Sequence, residues 1–472
     1  MSFLERLPDE LILNIASMAS ESSLSALART NQRLHAICDP CLYRQNVLYG
    51  ESSAMDWAAK RGMLEIFQKS LDAGAPLLVD AAMAESDNIP SVRSHPLISA
   101  AEGGHEDMVQ FILDRGVSPD LQISSGYTAL SVAVLYGYTS LVRLLLDHGA
   151  RQDILDRMDC RPLQHASAHY FQRIAEMLIV NLRQRDDDFF RELAKETMLD
   201  AVRHNNVAII HLFIEHGVDV NYIHDNETPL GIAAAEGEIE LVRLFLDNGA
   251  DENLLRDPQY TNAPLSDAVL GEHVEVCEAL VRGTTNLHRT RALSFAVREG
   301  YEEIVEMLLD KGTPPDFRQA DIPGPPGPYY DHEAWAQPLQ FAVQLGNWWL
   351  TGLLLQHGAD ANIECVEWPI RGAGVSYNRV IFSAVTAEQE DMVDLLLAYG
   401  AETNIADVRG RSLLSHAVVT GNESIIKSLL DHGANPHHAI VISGKNLRSL
   451  GRMKESTRLL LQEAESKWAE KL

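Results

Sequence analysis

Apolar positions along most of the chain recur in a two-part rhythm. In TALSVAVLYGYTSLVRLLLDHGA (Thr128 to Ala150) a short apolar helix precedes a glycine-containing break, and a second helix closes on three apolar residues followed by Gly-Ala. TPLGIAAAEGEIELVRLFLDNGA (Thr228 to Ala250) repeats the pattern. Alignment places an alanine at the same point of the first helix in eleven units: Ala58, Ala100, Ala133, Ala166, Ala201, Ala233, Ala268, Ala296, Ala342, Ala384 and Ala417. The commonest spacings are 32 to 35 residues, with longer steps after Ala58, Ala296 and Ala342. A small residue there lets neighbouring first helices approach closely, while the leucine-rich triplets bury against the next unit. Neither helix could cover its apolar face alone, so the pattern predicts a solenoid. Glycines such as Gly74, Gly149, Gly249 and Gly400 stand where a left-handed residue closes the second helix, and an Asp/Asn-rich tail turns the chain to the next unit. The fourth unit departs from this: EMLIVNLRQRDDDFF (Glu176 to Phe190) lacks the Gly-Ala, which predicts either a widened step or a sub-array boundary.

These units resemble the ankyrin family, whose T-P-L-x-x-A…G-x-x-x-[IV]-V-x-L-L-L-x-x-G-A-[DN] signature is met most fully from Thr228 to Asp251. The resemblance implies an all-α fold, an α-solenoid of about eleven ankyrin repeats over residues 51–440. Insertions interrupt it near 78–93, 313–336 and 363–378.

Residues 1–50 stand outside the period and read as three short helices. Pro8 followed by Asp9 and Glu10 suits a helix start. Leu11, Ile12 and Ile15 then share one apolar face, and Leu24, Leu27, Leu34 and Ile37 form another. So small a unit needs a partner to complete its core. The opening Leu-Pro-x-Glu, the central S-L-x-x-L-x-x-T-x-x-x-L and the closing P-x-L-Y resemble an F-box. That resemblance implies docking onto the Skp-type adaptor of a cullin-RING ubiquitin ligase, with contact positions falling on Leu7, Pro8, Leu11, Ile12, Ile15, Leu24 and Leu27. An F-box ahead of ankyrin repeats is similar to an arrangement of filamentous-fungal proteins. The bland alternative is a helical cap that seals the first repeat, as solenoids require.

In the ankyrin family the residue before the repeated alanine lines the concave partner-binding face. Here that position holds Phe295 and Phe341 in consecutive units. Between them lies PPDFRQADIPGPPGPYYDHEAWA (Pro314 to Ala336), too rich in Pro and Gly for a helix or strand interior and ending in Tyr329, Tyr330 and Trp335. Trp349 occupies a second-helix position that is polar or small in the other units. Four of the six tryptophans, Trp335, Trp348, Trp349 and Trp368, fall within 34 residues. Clustered aromatics beside a long loop are the material of interface hot spots. They are equally the material of a satellite core covered by the loop.

Charge narrows the partner. The 472 residues carry 39 Lys+Arg against 67 Asp+Glu, a net charge of −28. The head contributes four basic and five acidic residues, and Lys445 to Leu472 seven basic and four acidic, so the excess acidity belongs to the repeats. Nucleic acid is disfavoured as a partner, and a client protein with a basic segment is favoured. No apolar run suggests a membrane span, and MSFLERLPDE lacks signal-peptide order, so a soluble protein of the cytoplasm or nucleus, monomeric by itself, is expected.

The search for chemistry returns little. Cys38-Asp39-Pro40-Cys41 has the spacing of a zinc half-site without a second pair, and five scattered cysteines do not make a disulfide framework. No phosphate-binding glycine loop, nucleophile elbow or metalloprotease helix is found. No catalytic residue, metal ligand or cofactor is assigned. The C-terminal segment 441–472 carries Leu461, Ala464 and Trp468 at helical spacing, which predicts a capping helix, with partner docking as the sharper reading. Together these features predict a non-enzymatic interaction protein: the substrate-recognition subunit of an SCF-type ligase or, failing adaptor binding, an ankyrin scaffold with no ubiquitin role.

Overall fold

The computed structural model describes residues 7–49, 53–77, 95–255, 263–317, 336–367, 376–407, 409–437, 441–442, 445–446 and 454–469. The chain divides into two compact units, 1–218 and 219–472.

The first unit opens with three helices, α1 (Asp9–Met18), α2 (Glu21–Ala28) and α3 (Gln32–Tyr49). Ser20 caps α2, its side chain accepting the Ser23 amide. Five helix pairs follow: α4 (Ser53–Lys60) with α5 (Leu64–Asp72), α6 (Pro96–Glu102) with α7 (Glu106–Leu113), α8 (Ala129–Leu135) with α9 (Thr139–Asp147), α10 (Pro162–Ala168) with α11 (Gln172–Arg185), and α12 (Asp187–Arg203) with α13 (Val207–Glu215).

Six pairs make up most of the second unit: α14 (Pro229–Ala235) with α15 (Ile239–Asp247), α16 (Pro264–Leu270) with α17 (Val274–Leu280), α18 (Asn286–Glu299) with α19 (Glu302–Asp310), α20 (Pro338–Gln344) with α21 (Trp348–Gln356), α22 (Val380–Thr386) with α23 (Glu390–Ala398), and α24 (Leu413–Thr420) with α25 (Glu423–Asp431). The insertion predicted near 363–378 departs from a purely helical chain by forming an antiparallel ladder, β1 (Glu364–Glu367) against β2 (Ser376–Arg379). A shorter ladder, β3 (Val441–Ile442) with β4 (Lys445–Asn446), precedes α26 (Glu455–Ala469), which packs on α25 and buries Leu461.

Within each unit the first helices pack on one another, as α6 does on α4 and α8, and the second helices do likewise. The eleven repeated alanines are at most 1% exposed, the steric condition for that approach. Proline at the first helical position starts α6, α10, α14, α16 and α20, and Thr128 and Thr228 cap α8 and α14. The nine glycines that follow the second helices have φ between +77° and +96°. Gly237 is doubly constrained: its φ is +75°, and a Cβ there would lie 2.4 Å from the His273 ring.

The fourth pair explains its missing Gly-Ala. Helix α11 runs 14 residues, and the single residue Asp186 joins it to α12, accepting the Phe189 amide at 2.9 Å as that helix's cap. The division between compact units falls one pair later, after α13.

A hydrogen-bonded ladder, absent from the sequence reading, ties successive pairs together. The side chain of the fourth residue after the helix-closing glycine reaches the next pair. Asn221, Asn253, Asn362 and Asn404 accept the amides of Asp251, Thr285, Glu402 and Asn435 at 2.7–2.8 Å. Their Nδ2 groups donate to the carbonyls of Gly249, Gly283, Gly400 and Gly433 at 2.8–3.1 Å. At Asp120 and Asp316 only the accepting half survives, toward Arg151 and Asp360.

Candidate interaction surfaces

The head is closed on the inside by Ile12, Ala16, Leu24, Leu34 and Cys38, each at most 2% exposed, with α3 packed on both α1 and α2. Arg33 fastens the start of α1, donating to the Leu7 carbonyl at 2.8 Å and to Asp9. This core divides the seven positions expected to touch an adaptor. Ile12 and Leu24 are core residues and offer no free surface, because α3 covers the side of α1 and α2 that carries them. Leu11 at 49% and Ile15 at 43% face outward, joined by Leu13 at 51% and Met18 at 90%, two residues the motif does not single out. Pro8 is exposed, and Leu7 and Leu27 are half-buried. Leu11, Leu13, Ile15 and Met18 leave an apolar patch open to solvent on one ten-residue helix. Cys38 lies inside the head core, its thiol pushed up by burial and by Cys41.

The residue before the repeated alanine is more covered than the family pattern implies. Ser99, Val132, His165, Ile232 and Asp267 are buried, since the close packing the alanine permits brings the neighbouring first helix over them. Phe295 is corrected in the same way: it is 5% exposed, with the Arg291 and Arg298 guanidiniums 5.5 and 5.1 Å from its ring. Phe341 on α20 and Trp349 on α21 are half-buried, and Trp348 is 67% exposed. Tyr329, Tyr330, Trp335 and Trp368 lie outside the described residues. The edges of their insertion are joined: Phe317 donates its amide to Gln337 at 2.9 Å, and Ala336 accepts from Ser294 at 2.7 Å. Among the candidates, therefore, Phe341 and Trp349 present partial surface, and Trp57, 45% exposed beneath the Arg61 guanidinium, adds an aromatic on α4.

Two turns share a polar core that sequence reasoning missed. Asp156 Oδ1 accepts the amides of Met158 and Cys160 at 2.8 and 3.1 Å, and its Oδ2 accepts from His165 Nε2 at 2.6 Å. Asp407 Oδ1 likewise accepts the amides of Arg409 and Arg411 at 2.9 and 2.8 Å, and Oδ2 accepts from His416 Nε2 at 3.0 Å. Burial works to raise both carboxyls, but the bonds they accept outweigh it and hold them below the ordinary range. The shared nine-residue spacing from Asp to His was the available signal. Elsewhere Cys277 is pushed up to about 12 by burial, so it is a core thiol without nucleophilic character.

Comparison with known families agrees with this architecture. A model described as ankyrin repeats (3 copies) matches residues 55–156, 97–186, 163–256, 198–290 and 339–439, together most of the chain. The chain belongs to the ankyrin-repeat family. An F-box-like model matches residues 4–49, ahead of the ankyrin repeats. The ankyrin repeat and KH domain-containing protein mask-1 of Caenorhabditis elegans is 28% identical over 319 residues, 65% of this chain and 11% of its own length. The ankyrin repeat protein nuc-2 of Neurospora crassa is 24% identical over 42% of this chain and 20% of its own. The chain thus spans a fifth or less of these relatives. The solved ankyrin repeat domain of Bcl-3 is similar over 49% of this chain and 98% of its own, at 20% identity and a TM-score of 0.40. Ankyrin and F-box-like modules are protein-interaction domains, and among the described residues no helix is long and apolar enough to cross a membrane.

Proposed function

We propose that this ankyrin protein is the substrate-recognition subunit of an SCF-type cullin-RING ubiquitin ligase. Its head takes the Skp-type adaptor and its repeats take a client protein. The observation that carries this reading is the exposure of Leu11 and Ile15 on an F-box-like head whose own core is already closed. Apolar side chains left outside a complete core serve a partner. The protein performs no catalysis itself; it raises the effective concentration of a client lysine near a charged conjugating enzyme. The net charge of −28 selects a client with a basic segment, and Phe341 and Trp349 supply apolar anchors. The cytoplasm or nucleus is the proposed site of action.

The direct test is co-purification of the full chain with the adaptor. Leu11→Glu together with Ile15→Glu abolishes the association while thermal stability is retained. A second reading is favoured by one observation: α3 packs directly on α4 and α5, as a solenoid cap does. It takes the head as a cap without a ubiquitin role, and an association that is absent, or indifferent to both substitutions, selects it. Proximity labelling with the full chain and with a chain lacking residues 1–50 then identifies clients and shows whether ligase components depend on the head.

A further inference from the structure

One of the differences between the two matching turns points to a ligand. In the turn before α24, the fourth residue after the aspartate is Arg411, whose guanidinium donates to Asp407 Oδ2 at 2.8 Å. A cation thus balances that carboxylate, whose side chain is 3% exposed. In the turn before α10 the same position is Cys160. The Asp156 side chain is 1% exposed, and the side chain paired with it is the His165 ring, 6% exposed. The carboxylates of Asp159, Glu196 and Asp200 add further negative potential at the thiol. One donor atom each from Asp156, Cys160 and His165 lies within 4.8 Å of the other two.

We propose that Asp156, Cys160 and His165 bind a zinc-type divalent cation, which does in this turn what Arg411 does in the other. The chemistry of the donor set fits: one thiolate, one imidazole and one carboxylate is a borderline-soft combination that suits zinc and excludes calcium or magnesium. The spacing fits too. Tetrahedral zinc with bonds of 2.0 to 2.3 Å separates its donors by roughly 3.3–3.8 Å, which small side-chain rotations supply here. Binding takes Cys160 as the thiolate, its proton leaving to solvent, and takes His165 through Nε2, which gives up the proton it donates to Asp156 in the metal-free turn, so that the neutral ring carries its one proton on Nδ1. Three protein ligands leave a fourth position for water. Cys160 is half-buried, so the cation has a path in.

The test uses the full chain, freed of metal and titrated with Co²⁺ and then Zn²⁺. The expected result is one equivalent of Co²⁺ with thiolate-to-cobalt charge-transfer absorption, displaced by Zn²⁺, and a Zn²⁺-dependent rise in Tm. Cys160→Ala weakens binding by at least about 100-fold and removes the absorption. Cys160→Arg copies the other turn: it folds, raises the metal-free Tm and abolishes the Zn²⁺ response, which keeps the test decisive if the alanine variant is poorly folded. Cys41→Ser, which breaks the cysteine pair of the head, leaves binding unchanged. Cobalt bound without thiolate absorption, absorption that survives in Cys160→Ala, or a Zn²⁺ response that survives in Cys160→Arg overturns the proposal.

Discussion

Asp316 accepts the Asp360 amide at 2.8 Å in the place where Asn362 both accepts from Glu402 and donates to Gly400. The other Asp316 oxygen, Oδ1, is buried without a hydrogen-bond partner among the described residues. Burial, with Asp360 adding to it, raises this carboxyl to about 6. Asp316→Asn supplies the missing donor toward the Gly358 carbonyl and removes the charge. The penalty of the charged form is absent below the unfolded value of about 4, grows to about pH 6 and is complete above it. Asp316→Asn therefore stabilises at pH 7.5 by about 1–3 kcal/mol, and the gain shrinks toward pH 4. Paired denaturation curves across this range check it; a gain independent of pH would contradict the titration argument.

Asp407 behaves with the opposite sign. Its carboxyl is held low by the amides and side chains that donate to it, so its stabilisation is present above the ordinary carboxylate range and is lost as pH falls through its depressed folded value. Asp407→Asn costs about 1–3 kcal/mol near neutrality. The difference from wild type closes in acid, which thermal melts from pH 7 to pH 3 read directly.

Adjacent residues of α1 separate stability from recognition. Ile12, 2% exposed, loses about 2–4 kcal/mol on replacement by alanine. Leu11, 49% exposed, changes stability by less than about 0.5 kcal/mol on the same replacement. Chemical denaturation of the two variants and adaptor capture by Leu11→Ala form one experiment. Equal stability losses would show that the head core is not closed as described.

The repeated alanines set the distance between first helices. Ala233→Leu, at a position 0% exposed, forces its neighbours apart and costs about 1–3 kcal/mol or more. Differential scanning calorimetry measures the fall in Tm.

Phe341→Ala with Trp349→Ala weakens capture of a proximity-labelled client while the melting transition stays cooperative. A broadened transition identifies the two rings as a satellite core instead.

The repeat was legible because one steric demand, a small residue where helices touch, is printed eleven times. The division of the head was not. Leu11 and Ile12 are consecutive apolar residues about 100° apart on a helix. Only the placement of α3 decides which of them is covered. Phe295 misled for a related reason: α18 runs 14 residues where most first helices have seven or eight, and its extra turns bring Arg291 beside the ring. The link between Asp156, Cys160 and His165 depends on a turn that folds back on itself, in which Asp159 has a φ of +56°. Linear spacing does not display that reversal. The asparagine ladder was readable in principle from its constant offset after glycine, a polar period hidden beneath the louder apolar one.

The joint between head and repeats has a mechanical consequence. Asn46 donates to Ser53 Oγ and accepts the Ala54 amide, both at 3.0 Å, and Lys69 on α5 pairs with Asp39 on α3 at 3.0 Å. Helix α3 is therefore bolted to the first repeat pair, and α1 is clamped to α3 through Arg33. Anything docked on α1 would keep a set bearing toward the first repeat pair, as a sight does on its barrel. Substituting Asn46 loosens that joint while leaving the exposed face of α1 intact.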